Sequence, residues 1–374
     1  MRQPSSTIID FDWCLQGFLL LAPVIWLPGI SQNGLQMLVL NFLGPLLLAL
    51  ALFFGAKRVI TNPVIPIILL VSIVVSLITA PRGYPVGMIS LVSGLMLYYA
   101  ILLGVKDPKK IIWILAVVAL INILFAISFM VGFPLVYDNH DVINMSILGS
   151  HLSIVGLMGR SYHLAFFLII LAPLIFLLNR YAGYVAMGIA SISALIIESY
   201  ACRLALIVVI LVLVYRKVSL KAFLVIISVL LAVGVYHHEK IMQKINLRLP
   251  VYNQIANESL VNIFFGSGIG SMEINKRLYD VDSTFESSFN QYLRMGYELG
   301  IVPLILILGS IWNYFTRFPR KDLYFLASLS AILIYPFFHE VLRFARLDIL
   351  IITIVALFEI DCVDKLNNQG VTHG

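Results

Sequence analysis

The chain has 374 residues, of which 61% are apolar and only 12% charged, with a net charge of +6 and a mean hydropathy of +0.99. A soluble domain carries roughly 25% charged residues, so this composition excludes an ordinary soluble protein. The positive charge sits in short segments between apolar runs, which predicts membrane anchoring and no nucleic-acid partner. Three scattered cysteines without a CxxC pair imply no disulfide framework and no metal site.

In chain order, the apolar runs predict twelve membrane-spanning helices. A span needs about 20 apolar residues, and these runs do not alternate as the strands of a membrane barrel do. The predicted spans are 11–30, 35–54, 63–80, 84–104, 111–132, 161–179, 183–200, 203–215, 221–236, 297–315, 322–338 and 344–360. The eighth is short, so its helix either begins inside the preceding loop or lies tilted.

The predicted fold class is therefore all-α, a polytopic transmembrane helical bundle. Its predicted regions are 1–236 with spans one to nine, a large external loop at 237–296, and 297–374 with spans ten to twelve and a tail.

The basic residues between the spans predict the orientation. With the amino terminus in the cytoplasm, the cytoplasmic segments hold 14 of them: Arg2, Lys57, Arg58, Lys106, Lys109, Lys110, Arg180, Arg216, Lys217, Lys221, Arg317, Arg320, Lys321 and Lys365. The short external loops hold 5: Arg82, Arg160, Arg203, Arg343 and Arg346. Cytoplasmic loops carry an excess of Lys and Arg. Because the span count is even, both termini are predicted to be cytoplasmic.

Polar residues gather in two external segments, 133–160 and 237–296, whereas the cytoplasmic loops are short and mostly basic. Loops on a rigid scaffold often carry function. An external enzyme has no supply of ATP or nucleotide sugar, so its donor must arrive already activated and attached to lipid. The sequence thus favours a site on the external side, and no metal or cofactor is expected.

Three arginines are candidates for binding the phosphates of such a donor. Arg160 precedes the sixth span, Arg203 opens the eighth, and Arg248 lies in the large loop. A guanidinium binds phosphate in a bidentate manner, although arginines at helix ends also snorkel to lipid headgroups. Glu286 is the first candidate for a general base, with Glu298 or Glu340 in reserve, since a partly buried carboxylate can take the proton of a sugar hydroxyl.

Three segments carry a resemblance to a known family. SYACRLALIVVIL at 199–211 opens a span with an arginine, LVNIFFGSGIGS at 260–271 is a glycine turn, and FNQYL at 289–293 is followed seven residues later by Gly300. In this order they resemble the O-antigen polymerase and ligase superfamily, multispanning enzymes of the GT-C type. The resemblance covers roughly residues 196–300.

The resemblance implies that lipid-linked oligosaccharide repeat units are polymerised into O-antigen or exopolysaccharide on the external face of a bacterial inner membrane. It implies undecaprenyl-pyrophosphate-linked donor and acceptor glycans, membrane lipids and a chain-length-regulating co-polymerase as partners. By position, Asn290, Arg203 and the glycines carry over as site residues. Glu286 is inferred from chemistry alone.

Two alternatives remain open. The first is an O-antigen ligase acting on the lipid A core, but that branch has a histidine before the motif's Asn, and Phe289 stands there in this chain. The second is a transporter or flippase for a lipid-linked sugar. Transporters commonly show internal repeats and polar residues at mid-membrane, whereas here the polar residues gather outside the spans.

Overall fold

The computed structural model describes residues 11–21, 34–54, 67, 71, 74, 85–130, 161–197, 199–215, 263–264, 266–267, 291–306, 308–309, 322–337 and 345–367. Within these ranges 91% of the residues are α-helical and none lies in a β-strand. The predicted all-α class is confirmed for this part of the chain.

Ten helices organise the described residues. They are α1 (Phe11–Leu21), α2 (Gly34–Phe53), α3 (Pro85–Gly104), α4 (Pro108–Met130), α5 (Ser161–Ile175), α6 (Arg180–Ile196), α7 (Tyr200–Tyr215), α8 (Gln291–Leu299), α9 (Leu323–Ile334) and α10 (Ala345–Asn367). A 3₁₀ turn, Tyr335–Phe337, follows α9, and residues 301–306 are helical beyond α8.

Local sequence fixes where several of these helices begin. Asp107, the residue before Pro108, caps α4 by accepting a hydrogen bond from the Lys109 N–H. Pro108 then occupies the first position of the helix. Asn179 caps α6 by accepting from the backbone N–H groups of Tyr181 and Ala182, and Asp322 caps α9 by accepting from the Tyr324 N–H. A polar residue that satisfies the first free N–H groups therefore starts each of these apolar helices.

The helices pack around α5, in which every residue from 163 to 174 is buried. Helix α5 contacts α4, α6, α7, α9 and α10, while α2 packs on α3, α3 on α10, and α1 on α4. Helices α2 and α3 approach one another closely: a Cβ built on Gly44 would lie 2.2 Å from the Ser93 carbonyl oxygen. Small residues at helix crossings allow backbones to approach this closely in membrane bundles.

Large apolar side chains also cover outward faces. On α4 one exposed face carries Trp113, Leu120, Leu124 and Ile127, all at helical spacing. Helix α4 contains the one stretch among the described residues, Pro108–Ser128, that is long and apolar enough to cross a membrane, and six shorter apolar helices accompany it. Exposed apolar patches of this kind mark contact with another apolar phase. The described helices thus indicate membrane association.

Most predicted spans coincide with described helices, apart from shifts of a few residues. The third and ninth spans, 63–80 and 221–236, lie almost wholly outside the described residues. The predicted count of twelve, the GT-C architecture and the boundaries of the large loop therefore stay predictions.

Candidate functional site

Four helix termini meet at one end of the bundle, which we name the Arg203 end. It comprises the first turn of α5, the last turn of α6, the first turn of α7 and the 3₁₀ turn after α9. All four belong to spans whose ends at this point are predicted to be external. The polar side chains of this end come from stretches far apart in the sequence, so it is built by the fold as a whole.

Ser199 and its neighbours set the start of α7. The Ser199 carbonyl accepts from the Arg203 N–H at 3.1 Å, and the Ser199 hydroxyl accepts from the Cys202 N–H at 3.4 Å. This is N-cap geometry, in which the side-chain oxygen satisfies a backbone donor of the first turn. The cap fixes the helical phase, and Arg203 consequently projects from the first turn of α7 toward α6.

The Arg203 guanidinium binds the end of the neighbouring helix. Its Nε donates to the Ala194 carbonyl at 3.4 Å and its Nη2 to the Leu195 carbonyl at 3.2 Å. Both carbonyls lie in the last turn of α6, where no intrahelical donor remains and the helix dipole is negative. The guanidinium also lies 5.9 Å from the centre of the Tyr200 ring. Arg203 is therefore held by the fold before any ligand arrives.

These contacts leave part of the guanidinium available. A guanidinium carries more N–H donors than two bonds use, and Arg203 is only partly buried. The remaining N–H groups can bind an anion, and the positive charge is oriented by the two carbonyls and the ring. The arrangement suits recognition of one phosphate oxygen or of a phosphate edge.

A buried cluster lies behind Arg203. The Cys202 thiol donates to the Tyr162 carbonyl at 3.4 Å and interacts with the Tyr335 hydroxyl. The Tyr335 ring stacks on Phe166, with the ring centres 3.8 Å apart and the planes 12° from parallel. Tyr335 thus connects the turn after α9 to α5 and α7. Tyr335 was not among the residues predicted from the sequence.

The FNQYL segment ends beside the same turn. The Tyr292 hydroxyl, on the first turn of α8, donates to the Leu333 carbonyl at 2.5 Å, near the end of α9. Burial raises the pKa of Tyr292 to about 12, so the phenol stays neutral and keeps its donor. The Tyr292 hydroxyl thus joins the first turn of α8 to the end of α9.

The glycine turn packs against the end of α8. Gly266 and Gly300 both have positive φ, at 84° and 91°, and the Ser267 N–H donates to the Tyr297 carbonyl at 2.8 Å. A Cβ on Gly266 would lie 2.3 Å from the Glu298 carbonyl oxygen, and one on Gly300 would lie 2.3 Å from the Phe264 carbonyl oxygen. The turn expected from the sequence is present at Gly266, and its contact partner is the end of α8.

Of the predicted site residues, Arg203 is described, whereas Arg160, Arg248, Glu286 and Asn290 lie outside the described residues. Arg160 and Asn290 directly precede the first residues of α5 and α8 in the sequence. The reserve base Glu298 is buried on α8, and the other reserve, Glu340, also lies outside the described residues.

Comparison with known proteins adds no relative: no protein-family model matches the chain, and no curated protein matches it. The resemblance therefore rests on its three ordered segments.

Proposed function

We propose that this chain polymerises lipid-linked oligosaccharide repeat units on the external face of a bacterial inner membrane. It is a multi-pass protein of the GT-C type with both termini in the cytoplasm. The donor is a glycan on undecaprenyl pyrophosphate, and the acceptor is a repeat unit on the same carrier. No cofactor is required, and a chain-length-regulating co-polymerase is a partner.

One observation carries the proposal. Arg203, from the first motif segment, and Tyr292, from the third, both connect to the turn at Tyr335: Arg203 through its neighbour Cys202, and Tyr292 through the Leu333 carbonyl. The second segment packs on the end of α8 at Gly300. Parts of all three segments thus lie on or against α7 and α8, and both of these helices contact the end of α9 or the turn after it.

The proposed reaction is a glycosyl transfer. A hydroxyl of the acceptor attacks the anomeric carbon of the donor, a C–O bond forms, and the bond from that carbon to the pyrophosphate oxygen breaks. The lipid pyrophosphate leaves with the bonding electrons, and the hydroxyl proton passes to Glu286. Arg203, with Arg160 and Arg248, stabilises the charge that develops on the leaving group. Asn290 orients the sugar hydroxyls.

The structure of the Arg203 site supports this role for the arginine. A group that must stabilise a developing charge is most effective when it is already oriented, since no reorganisation is then needed during the reaction. The carbonyls of α6 hold the guanidinium in that way. A metal ion bound to the pyrophosphate would stabilise the same developing charge, but the proposed chemistry requires none.

The test is a glycan ladder from a deletion strain complemented with the wild-type gene, Arg203→Ala, Arg203→Lys or Glu286→Gln. Arg180→Ala is the matched control, because Arg180 also lies at a helix end but is predicted to face the cytoplasm. Membrane insertion of each variant is measured in parallel. We expect long chains only with the wild type and Arg180→Ala, and a ladder that is strongly reduced with Arg203→Lys.

Other outcomes would replace the proposal. A deletion strain that accumulates long chains on the carrier lipid, with none on lipid A, would establish a ligase. A deletion strain without any glycan phenotype would refute both transferase functions and favour transport. A normal ladder from a correctly inserted Arg203→Ala variant would remove Arg203 from the site.

A further inference from the structure

A second polar feature lies at the opposite end of the bundle, where α3 turns into α4. Lys106, Lys109 and Lys110 are all exposed within five residues of one another. Trp113 follows on α4 with 58% of its surface exposed, and Trp13 on the neighbouring helix α1 is 64% exposed. We name these five residues the Lys–Trp corner.

The corner is built by a buried carboxylate. Asp12 of α1 is 1% exposed and accepts from the backbone N–H groups of Lys106 at 3.0 Å and Asp107 at 3.2 Å. The first turn of α1 is thereby fixed to the turn between α3 and α4. The position of the lysines relative to both tryptophans is set by this contact.

The charge of the corner is directed outward. Among the described residues of this turn, the Asp12 carboxylate is buried under the turn, and Asp107 accepts from the Lys109 N–H as the cap of α4. The three lysine side chains of the turn are exposed. Such a cluster beside a membrane attracts anionic lipid headgroups.

Trp113 indicates how deep in the membrane the Lys–Trp corner lies. Trp113 lies five residues into α4, which is about 7.5 Å along the helix axis at about 1.5 Å per residue. Tryptophan is enriched at the boundary between headgroups and hydrocarbon. With Trp113 at that boundary, the three lysines lie at the level of the headgroup phosphates.

We propose that the Lys–Trp corner is a binding site for the headgroup of an anionic phospholipid. The ammonium groups pair with the headgroup phosphate, and Trp113 packs against the glycerol and upper acyl region. This inference rests on the membrane placement alone and is independent of the proposed glycosyl transfer.

The experiment uses the full chain with Trp13, Trp26 and Trp312 replaced by Phe, so that Trp113 is the only fluorescent tryptophan. The protein is reconstituted into vesicles of phosphatidylcholine with a fixed small fraction of lipid brominated on its acyl chains, either phosphatidylglycerol or phosphatidylcholine. Bromine quenches tryptophan only at short range. We expect phosphatidylglycerol to be enriched around Trp113 by about fivefold, which corresponds to about 1 kcal/mol of attraction.

Two variants localise the effect. The first is a triple variant that is expected to abolish the preference for phosphatidylglycerol; it combines Lys106→Gln, Lys109→Gln and Lys110→Gln. Arg180→Gln removes an exposed cation on α6 and is expected to leave the preference unchanged. A thermal unfolding curve for each protein confirms that it is folded.

Equal quenching by the two lipids in the protein that retains its lysines would overturn the proposal, as would a preference that survives the triple substitution. High salt provides an independent measure. Pairing between ammonium groups and phosphate is screened by salt, so the preference is expected to decline as ionic strength rises. A preference that is insensitive to salt would contradict the assigned chemistry.

Discussion

Arg203 combines a structural contact with the proposed chemical one. Its guanidinium satisfies the Ala194 and Leu195 carbonyls at the end of α6, and these would otherwise lack a donor. Arg203→Ala is therefore expected to lower the free energy of unfolding by about 1 to 2 kcal/mol, in addition to any effect on activity. Thermal unfolding of the purified protein in detergent measures this loss.

Arg180→Ala provides the comparison for that measurement. The Arg180 side chain is exposed and bonds to the Tyr184 hydroxyl at 3.3 Å, on the same helix. We expect no measurable loss of stability there. Equal unfolding temperatures for wild type and Arg203→Ala would show that the contacts to α6 contribute nothing, and Arg203 would then be available entirely for a ligand.

Tyr292 offers a second test at the level of one residue. Tyr292→Phe removes the donor to the Leu333 carbonyl and is expected to lower stability by about 1 kcal/mol. Burial raises the pKa of Tyr292 from 10.0 to about 12. The folded state thus holds the phenol proton more tightly than the unfolded state. The contribution is fully present below pH 10 and is lost as the pH rises through about 12.

The measurement is the difference in the free energy of unfolding between wild type and Tyr292→Phe, recorded from about pH 8 to about pH 12, where linkage predicts a constant value up to about pH 10 and a decline above it. A difference that stays constant across the whole range would mean that the phenol has its ordinary pKa in the folded state. Tyr292 would then not be buried against α9.

Among the described elements, the contact between the glycine turn and α8 is expected to be sensitive to substitution. Gly266 and Gly300 have positive φ, and an added Cβ would meet backbone on the opposite segment in both cases. Gly266→Ala and Gly300→Ala are each expected to lower stability by at least about 1 to 2 kcal/mol, from left-handed backbone strain alone. The yield of monodisperse protein after detergent extraction and heating reports this loss.

Gly309 is the matched control on the same stretch of chain. A Cβ added at Gly309 meets nothing within 4 Å, and alanine is a better helix former than glycine by about 1 kcal/mol. Gly309→Ala is expected to leave stability unchanged or to raise it. If all three variants behaved alike, the packing of the glycine turn on α8 would be refuted.

The pattern of the sequence predicts most helices but not every helix end. The eighth span was predicted at 203–215, with a helix that either begins inside the preceding loop or lies tilted. Helix α7 begins at Tyr200 under the Ser199 cap, in agreement with the first alternative. The tenth span was predicted as one run from 297, yet the chain turns at Gly300. That turn depends on Phe264 and Gly266, which no local pattern relates to Gly300.

At the site, too, contacts between segments that are distant in the sequence could not be predicted. Arg203 could be selected from the sequence, because a charge beside a long apolar run is conspicuous. Its bonds to α6 could not be predicted, since they depend on how α6 and α7 pack. Tyr335 gave no signal at all, because only the fold brings it to Cys202 and Phe166.

For the whole molecule, the described contacts agree with the alternating path predicted for the chain. Contacts at the Arg203 end join helix ends that were all predicted to be external. At the opposite end, Asp12 binds the turn at Lys106, and the Phe176 ring stacks on Tyr324 with the ring centres 5.1 Å apart. These residues lie at span ends or in a turn that were predicted to be on the cytoplasmic side. The membrane topology stays a prediction, and labelling can test it.

Helix α6 provides both reporters for that experiment. Tyr181 is 81% exposed near its start and Leu195 is 68% exposed near its end. They are 14 residues apart, or about 21 Å along the axis. In a background with Cys14, Cys202 and Cys362 replaced by Ala, a membrane-impermeant maleimide is expected to label Leu195→Cys in intact spheroplasts and Tyr181→Cys only after permeabilisation. The reverse result would place the Arg203 end in the cytoplasm, where nucleotide sugars are available, and would remove the premise of a lipid-linked donor. Labelling of both positions in intact spheroplasts would show that α6 does not span the membrane.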